Sequence, residues 1–549
     1  MTLISKRQVS RRLLPIIWAC ASLWGCTAET GQEISSDSPE AEPTMAVSTP
    51  HVRTLTGTLQ GVATNEDVDV FRGIPYAQPP TGDLRWRPPQ APRPWEGIRD
   101  ASAFSVSCPQ PRFTSEYVWR REDFATAEDC LYLNVWRPEG ADNMPVMVWF
   151  HGGAHTAGQG HSKIFDGTTI AQNGAVLVSI NYRLGALGFL AHPWLSDESD
   201  HASSGNYGLL DKIAALNWVR DNIAEFGGNP DNVTIFGQSA GSQSVCSLMA
   251  SPLARGLFHK AIGQSAACIG PAPQRDPGGL ERGQRLVAEL GVNSLTQLRQ
   301  IDPEGILKAT EASGWENQSR IVIDGWVLPE PQIETFQKNK QANVPLMVGC
   351  LADEGENLIP INQALSLDDF DAFLTRAYGT VGEKLKNAYQ EELETSPGVA
   401  QHAMATDQFM AFAMRRWAEY QVAVNPDTYL YFMDHIPPAF HLYMPEKPEM
   451  EHPDGPRHAA YHSGDLAYVF GTVDRVGVDW QDEDRALSQL MVRYWTNFAR
   501  TGNPNDDGLP DWPQFTREGL ATQVLNNQPY TAPGIRRQRI DLFAEALPL

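Results

Sequence analysis

Residues 232–249 constrain this chain more than any other stretch: an apolar strand, Asn232 to Phe236, runs into Gly237-Gln238-Ser239-Ala240-Gly241 and straight on into a helix. A turn that tight leaves no room for side chains at its flanks, which accounts for Gly237 and Gly241. The strain lifts the Ser239 hydroxyl clear of the strand end and sets it at the positive end of the following helix. A Gly-Ser turn with no chemistry is the plain alternative. The strand before and the helix after are the context that turns G-x-S-x-G into a nucleophile elbow.

The surrounding sequence supplies a sheet for that elbow. Met144 to Phe150 and Ala175 to Ile180 are continuous apolar runs of strand length. Tyr207 to Phe226 carries apolar residues at helical spacing, and Ser242 to Met249 reads as the helix after the elbow. Lys260 to Gln264 and Val344 to Gly349 continue the alternation, with Pro345 at a strand start, where a lost donor is tolerated. Strands alternating with helices predict an α/β fold with a central, mostly parallel sheet flanked by helices. Residues 275–340 and 360–450 read as helical insertions around the active site.

A second chemical motif, Phe150-His151-Gly152-Gly153-Ala154, ends the strand before the elbow. Acyl transfer builds negative charge on an oxygen, and backbone N–H groups in a small-residue loop stabilise it without reorganising. Gly153, Ala154 and Ala240 are the expected donors. His151 and His155 have i,i+4 spacing, but a Gly-Gly loop does not hold them on one helical face, so the pair does not read as a zinc site.

These motifs, with others along the chain, resemble the type B carboxylesterase and cholinesterase family of α/β-hydrolases. Phe71-Arg-Gly-Ile-Pro-Tyr-Ala77, Pro79-Pro80 and Leu84-Arg85-Trp86 are similar to its N-terminal block, and Glu128 to Val135 to one of its signatures. Asn181 to Gly185 and Gly205 to Asp211 carry the resemblance up to the elbow. From the residues alone, His402, His435, His441, His452, His458 and His462 all compete as the base after an acid at Glu354. The resemblance selects Glu354, in Asp353-Glu354-Gly355, and His462, eight residues before Phe470-Gly471. It therefore implies a Ser239, Glu354, His462 triad in the Ser…acid…His order. It also implies hydrolysis of carboxylic esters through an acyl-enzyme, with no metal or organic cofactor.

Two departures stand out, together with one parallel. Gln238 occupies the position where cholinesterases carry Glu, and His155 the one where an aromatic usually follows the oxyanion loop. Trp119 lies roughly where cholinesterases place their cation-stacking Trp, although ordinary packing explains it as well. An amidase, carbamate or thioester hydrolase would use the same machinery. A catalytically silent adhesion or binding protein of this fold is the alternative from another class, and retention of the triad and oxyanion loop argues against it.

The N-terminus reads as an export signal. Lys6, Arg7, Arg11 and Arg12 form a basic region, and Leu13 to Leu23 a short apolar one. Leu23-Trp24-Gly25-Cys26 resembles a lipobox, with Trp24 where a small residue is usual; Cys26 would be the lipid acceptor. The expected layout is a lipoprotein-like signal peptide over 1–26, an acidic tether over 27–50 and one hydrolase domain over 51–549. The destination is the periplasm or cell envelope, or otherwise secretion. Of seven cysteines, Cys20 leaves with the signal and five remain beyond Cys26, which suggests two bridges and one leftover thiol. The resemblance implies Cys108–Cys130. Cys246–Cys268 is the second expected pair, and Cys350 is expected as a buried free thiol. A net charge of −23 argues against nucleic acid as a partner and fits a small-molecule ester substrate, with membrane contact only through the lipid. Oligomeric state is left open.

Overall fold

A computed structural model describes residues 49–111, 125–270, 278–315, 321–356, 358–438, 459–476 and 480–547. The expected signal peptide, Cys26, all but the end of the expected tether, Trp119, His441, His452 and His458 lie outside the described residues.

The main sheet has eleven strands: β1 (Val62–Ala63), β2 (Val68–Pro75), β3 (Tyr132–Pro138), β4 (Met144–Phe150), β5 (Val176–Ile180), β6 (Gly228–Gln238), β7 (Lys260–Gln264), β8 (Leu346–Leu351), β9 (Thr428–Met433), β10 (Ala521–Leu525) and β11 (Tyr530–Pro533). Their spatial order is β11-β10-β9-β8-β7-β6-β4-β5-β3-β2-β1. The centre, from β5 to β10, is parallel, and the pairings β2–β3, β3–β5 and β10–β11 are antiparallel. Central strands such as β4 and β8 are apolar on both faces because helices cover both, so they read as continuous rather than alternating runs. Three short strands, His51–Thr54, Gly57–Gln60 and Ile98–Asp100, form a separate small sheet.

Register decides where chemistry can happen. Phe150 pairs with Gly237, Gln238 with Gln264, and Gln264 with Gly349. The C-terminal ends of β4, β6, β7 and β8 therefore finish almost level, and the loops leaving them share one rim of the sheet, where α/β folds place their sites.

Helix α1 (Gly185–Phe189) follows β5, and α2 (Tyr207–Asn222) is buried over most of its circumference, Asp211 and Lys212 included. The α3 helix (Ala240–Ala250) leaves the elbow. The expectation that 360–450 is a helical insertion needs correction. Helices fill much of it, but Thr428 to Met433 is a strand of the main sheet, parallel to both β8 and β10. A six-residue apolar run does not distinguish a buried strand from a buried helix turn, and Pro426 just ahead of it marked the break.

Two disulfides are present, Cys108–Cys130 and Cys246–Cys268, each closing 22 residues of sequence. The first borders the undescribed stretch 112–124. The second ties α3 to the segment leaving β7. Cys350 is a buried free cysteine, and burial pushes its thiol well above the usual range.

Candidate active site

Ser239 stands between β6 and α3 with φ 57° and ψ −125°, a left-handed backbone that a residue with a Cβ seldom adopts. The flanking glycines permit it. A Cβ on Gly241 would lie 1.9 Å from the carbonyl oxygen of Phe150, and one on Gly237 would meet the Gly241 backbone at 2.6 Å. The Ser239 N–H donates to the carbonyl of Gln264 at 2.8 Å, which anchors the elbow to β7.

Glu354 and His462 arrive from two loops that are pinned together. The Asp353 N–H donates to the Ala460 carbonyl at 3.0 Å, and the Ala460 N–H donates back to Asp353 Oδ2 at 2.9 Å. The backbone bond belongs to a short parallel bridge between Asp353 and Tyr461, the side-chain bond reinforces it, and the next residue of each loop comes side by side. Glu354 Oε2 then meets His462 Nδ1, while Leu351 N–H donates to Glu354 Oε1 at 2.9 Å. Both side chains are about 1% exposed. A carboxylate only accepts, so it fixes the proton on Nδ1 and leaves Nε2 as the basic nitrogen. Nε2 lies 3.2 Å from Gln238 Nε2, on the side chain immediately before Ser239.

The other described histidines after Glu354 are occupied elsewhere. His435 Nε2 lies 2.6 Å from Asp484, and His402 is 3.9 Å from Glu356. Of the candidates that the sequence left open, the described structure brings His462 to Glu354.

The loop after β4 lies against the elbow, since a Cβ on Gly152 would come within 3.1 Å of Ser239 Cβ and 3.0 Å of Gln238 Oε1. Gly153 turns at φ 103°, and Ala154 and His155 follow at 53° and 59°. The turn's own hydrogen bonds run from the N–H groups of Thr156 and Ala157 to the Gly153 carbonyl, so they leave the amides of Gly153 and Ala154 out of the turn. Ala240 opens α3 beside them. Gly153 and Ala154 thus follow the residue that abuts Ser239, and Ala240 follows Ser239 itself. His151 and His155 both lie against the Tyr182 ring, His151 stacked at 4.3 Å and His155 edge-on at 6.5 Å, and His155 Nε2 also contacts Gln243 at 3.0 Å.

Reading the sequence missed a second buried carboxyl. Asp465, three residues after His462, accepts from Gln264 Nε2 at 2.8 Å and from the Tyr431 hydroxyl at 3.3 Å. Burial pushes it up to about 6, and the neighbouring Glu354 carboxylate adds to that effect. Its only sequence signal was an Asp in the histidine block. Gln238 was singled out as a missing charge, whereas its contact with the base was invisible in the sequence.

A model of the carboxylesterase family matches residues 48–543. The chain is 34% identical over 501 residues to a fumonisin B1 esterase of Sphingopyxis macrogoltabida, covering 85% of this chain and 84% of that one. It is 35% identical over 494 residues to a para-nitrobenzyl esterase of Bacillus subtilis (87% and 95% covered). A solved PNB esterase superposes with a TM-score of 0.78 at 33% identity, over 90% of this chain and all of the other.

Proposed function

This chain belongs to the carboxylesterase family and is a carboxylic ester hydrolase, and from that premise we infer that Ser239, His462 and Glu354 carry the reaction on a small-molecule ester. Ser239 Oγ attacks the acyl carbon as His462 Nε2 takes its proton; the imidazolium then protonates the leaving alcohol. Water repeats the sequence on the acyl-enzyme and frees the acid. Glu354 holds the Nδ1–H tautomer and balances the imidazolium charge. The N–H groups of Gly153, Ala154 and Ala240 face the oxyanion. The observation that carries this reading is the buried Glu354–His462 contact beside a strained serine. A fluorophosphonate reagent tests it: one label per chain, on Ser239, is expected, and a label elsewhere or none would overturn the assignment.

We propose that a neutral ester is hydrolysed at least as well as the choline ester of the same acyl chain. Stacking a desolvated cation on aromatic faces is worth about 2 kcal/mol at best, and Gln238 beside the base brings no negative charge to add to it. The protein's overall negative field acts on encounter rates and fades with salt. Side-by-side kcat/KM values at physiological salt check this; a tenfold preference for the choline ester would reverse it.

We also propose that the protein is exported and held at the envelope by a lipid on Cys26, on the strength of the basic and apolar leader and the lipobox-like tetrapeptide. Cys26→Ser is expected to move activity from the membrane pellet to the soluble fraction at unchanged specific activity. Wild-type protein wholly soluble and without N-terminal lipid would refute it.

A further inference from the structure

One charged side chain in the interior has no part in the triad. Lys212 sits on the buried helix α2 and is completely excluded from solvent. Its Nζ donates to the Gly208 carbonyl one turn back at 3.3 Å and lies 3.0 Å from the centroid of the Tyr182 ring. Among the described residues no carboxylate lies within ion-pair distance of it. Its sequence neighbour Asp211 is committed to Arg183, which reaches Asp211 through Nε at 2.8 Å, Nη2 at 2.6 Å and its backbone N–H at 3.0 Å. A buried ammonium with one long hydrogen bond and a ring for company is costly to keep, and uncharged side chains of similar length avoid that cost.

What the ammonium touches leads to the oxyanion loop in three contacts. Tyr182 donates its hydroxyl to the His151 carbonyl at 2.7 Å, and its ring stacks on the His151 imidazole with centroids 4.3 Å apart and planes 17° from parallel. His151 Nδ1–H donates to the Gly152 carbonyl at 2.8 Å. In a trans peptide the carbonyl and the N–H point opposite ways, so fixing the Gly152 carbonyl fixes the direction of the Gly153 N–H. A cation over a phenol ring draws electron density from it and makes the hydroxyl a stronger donor.

We propose that Lys212 is a positioning residue for ester hydrolysis: its ammonium braces Tyr182, which through His151 and Gly152 aims the Gly153 N–H at the oxyanion. The inference rests on the reading of Ser239 as nucleophile and Gly153 as oxyanion donor, and it deepens that reading. Burial pushes the Lys212 ammonium well below the usual lysine range, with Asp211 opposing the shift. The titratable or charged groups facing it are Asp211 and its partner Arg183, Tyr182, and one ring further on His151 and His155, both packed against Tyr182. Sign follows from this: the brace is charged at the acid end and is lost as pH rises through the lowered lysine range.

Lys212→Met and Lys212→Gln test it in the full chain with a para-nitrophenyl ester as the probe. Removing an oxyanion donor outright costs roughly 100- to 1,000-fold, so weakening its aim is expected to cost about tenfold in kcat, with KM within twofold. Wild type is expected to show a falling alkaline limb in kcat that both variants lack, while their thermal midpoints stay equal or rise. Full kcat with the wild-type limb retained in both variants would overturn the proposal. So would a loss of rate that accompanies a lowered thermal midpoint in both, since that marks plain packing. Fluorophosphonate labelling of the wild type, run alongside, separates failure of this proposal from failure of the Ser239 assignment.

Discussion

Ser239→Ala is expected to lower kcat by roughly 10⁴- to 10⁶-fold, the scale seen when a triad nucleophile is removed, while KM stays within a fewfold. The residual rate comes from the oxyanion loop and substrate positioning, which the substitution leaves in place. The fold is expected to survive, because alanine keeps the backbone that the elbow needs and removes one hydroxyl. Relief of the φ 57° strain is not expected, since any residue with a Cβ pays the same steric penalty there. Steady-state kinetics on a chromogenic ester, with circular dichroism as the folding control, check it. A variant that keeps more than a few per cent of activity would mean that another nucleophile works in this chain.

The elbow was legible because its constraints are local. The two glycines, the apolar strand and the helix are all written within 20 residues, and the structure adds to them the distances that forbid side chains at Gly237 and Gly241. The Gly-Gly loop after β4 was legible for the same reason. The base was not. Nothing in the residues around His462 distinguishes it from His402 or His435. What does distinguish it is a pairing over a long sequence distance, Asp353 with Ala460 and Tyr461, that only the folded chain makes. Family resemblance stood in for that contact. Strand β9 was misread as part of a helical insertion because its partners, β8 and β10, lie about 80 and 90 residues away and leave no local mark. Lys212 and Asp465 illustrate the limit from the other side. Both are of residue types that composition places on the surface, and both are fully buried.

Glu354→Gln isolates the part of the proposed triad that touches no substrate. Glutamine has nearly the shape of glutamate, so its amide oxygen can still accept from the Leu351 N–H, and the pinned Asp353–Ala460 loops need not move. The remaining amide group, an N–H donor, then faces His462 Nδ1. Two donors cannot bond, so the imidazole moves its proton to Nε2, and the nitrogen that should accept from Ser239 becomes a donor. The equivalent exchange of a buried triad carboxylate for its amide lowers kcat by about 10⁴-fold, and a loss of roughly 10³- to 10⁴-fold is expected here. The serine is still present, so fluorophosphonate labelling is expected to be slowed but still to reach one label per chain, whereas Ser239→Ala gives none. A Glu354→Gln protein within tenfold of wild-type kcat would show that His462 does not depend on this carboxylate, and the buried acid three residues along, Asp465, would then be the group to replace.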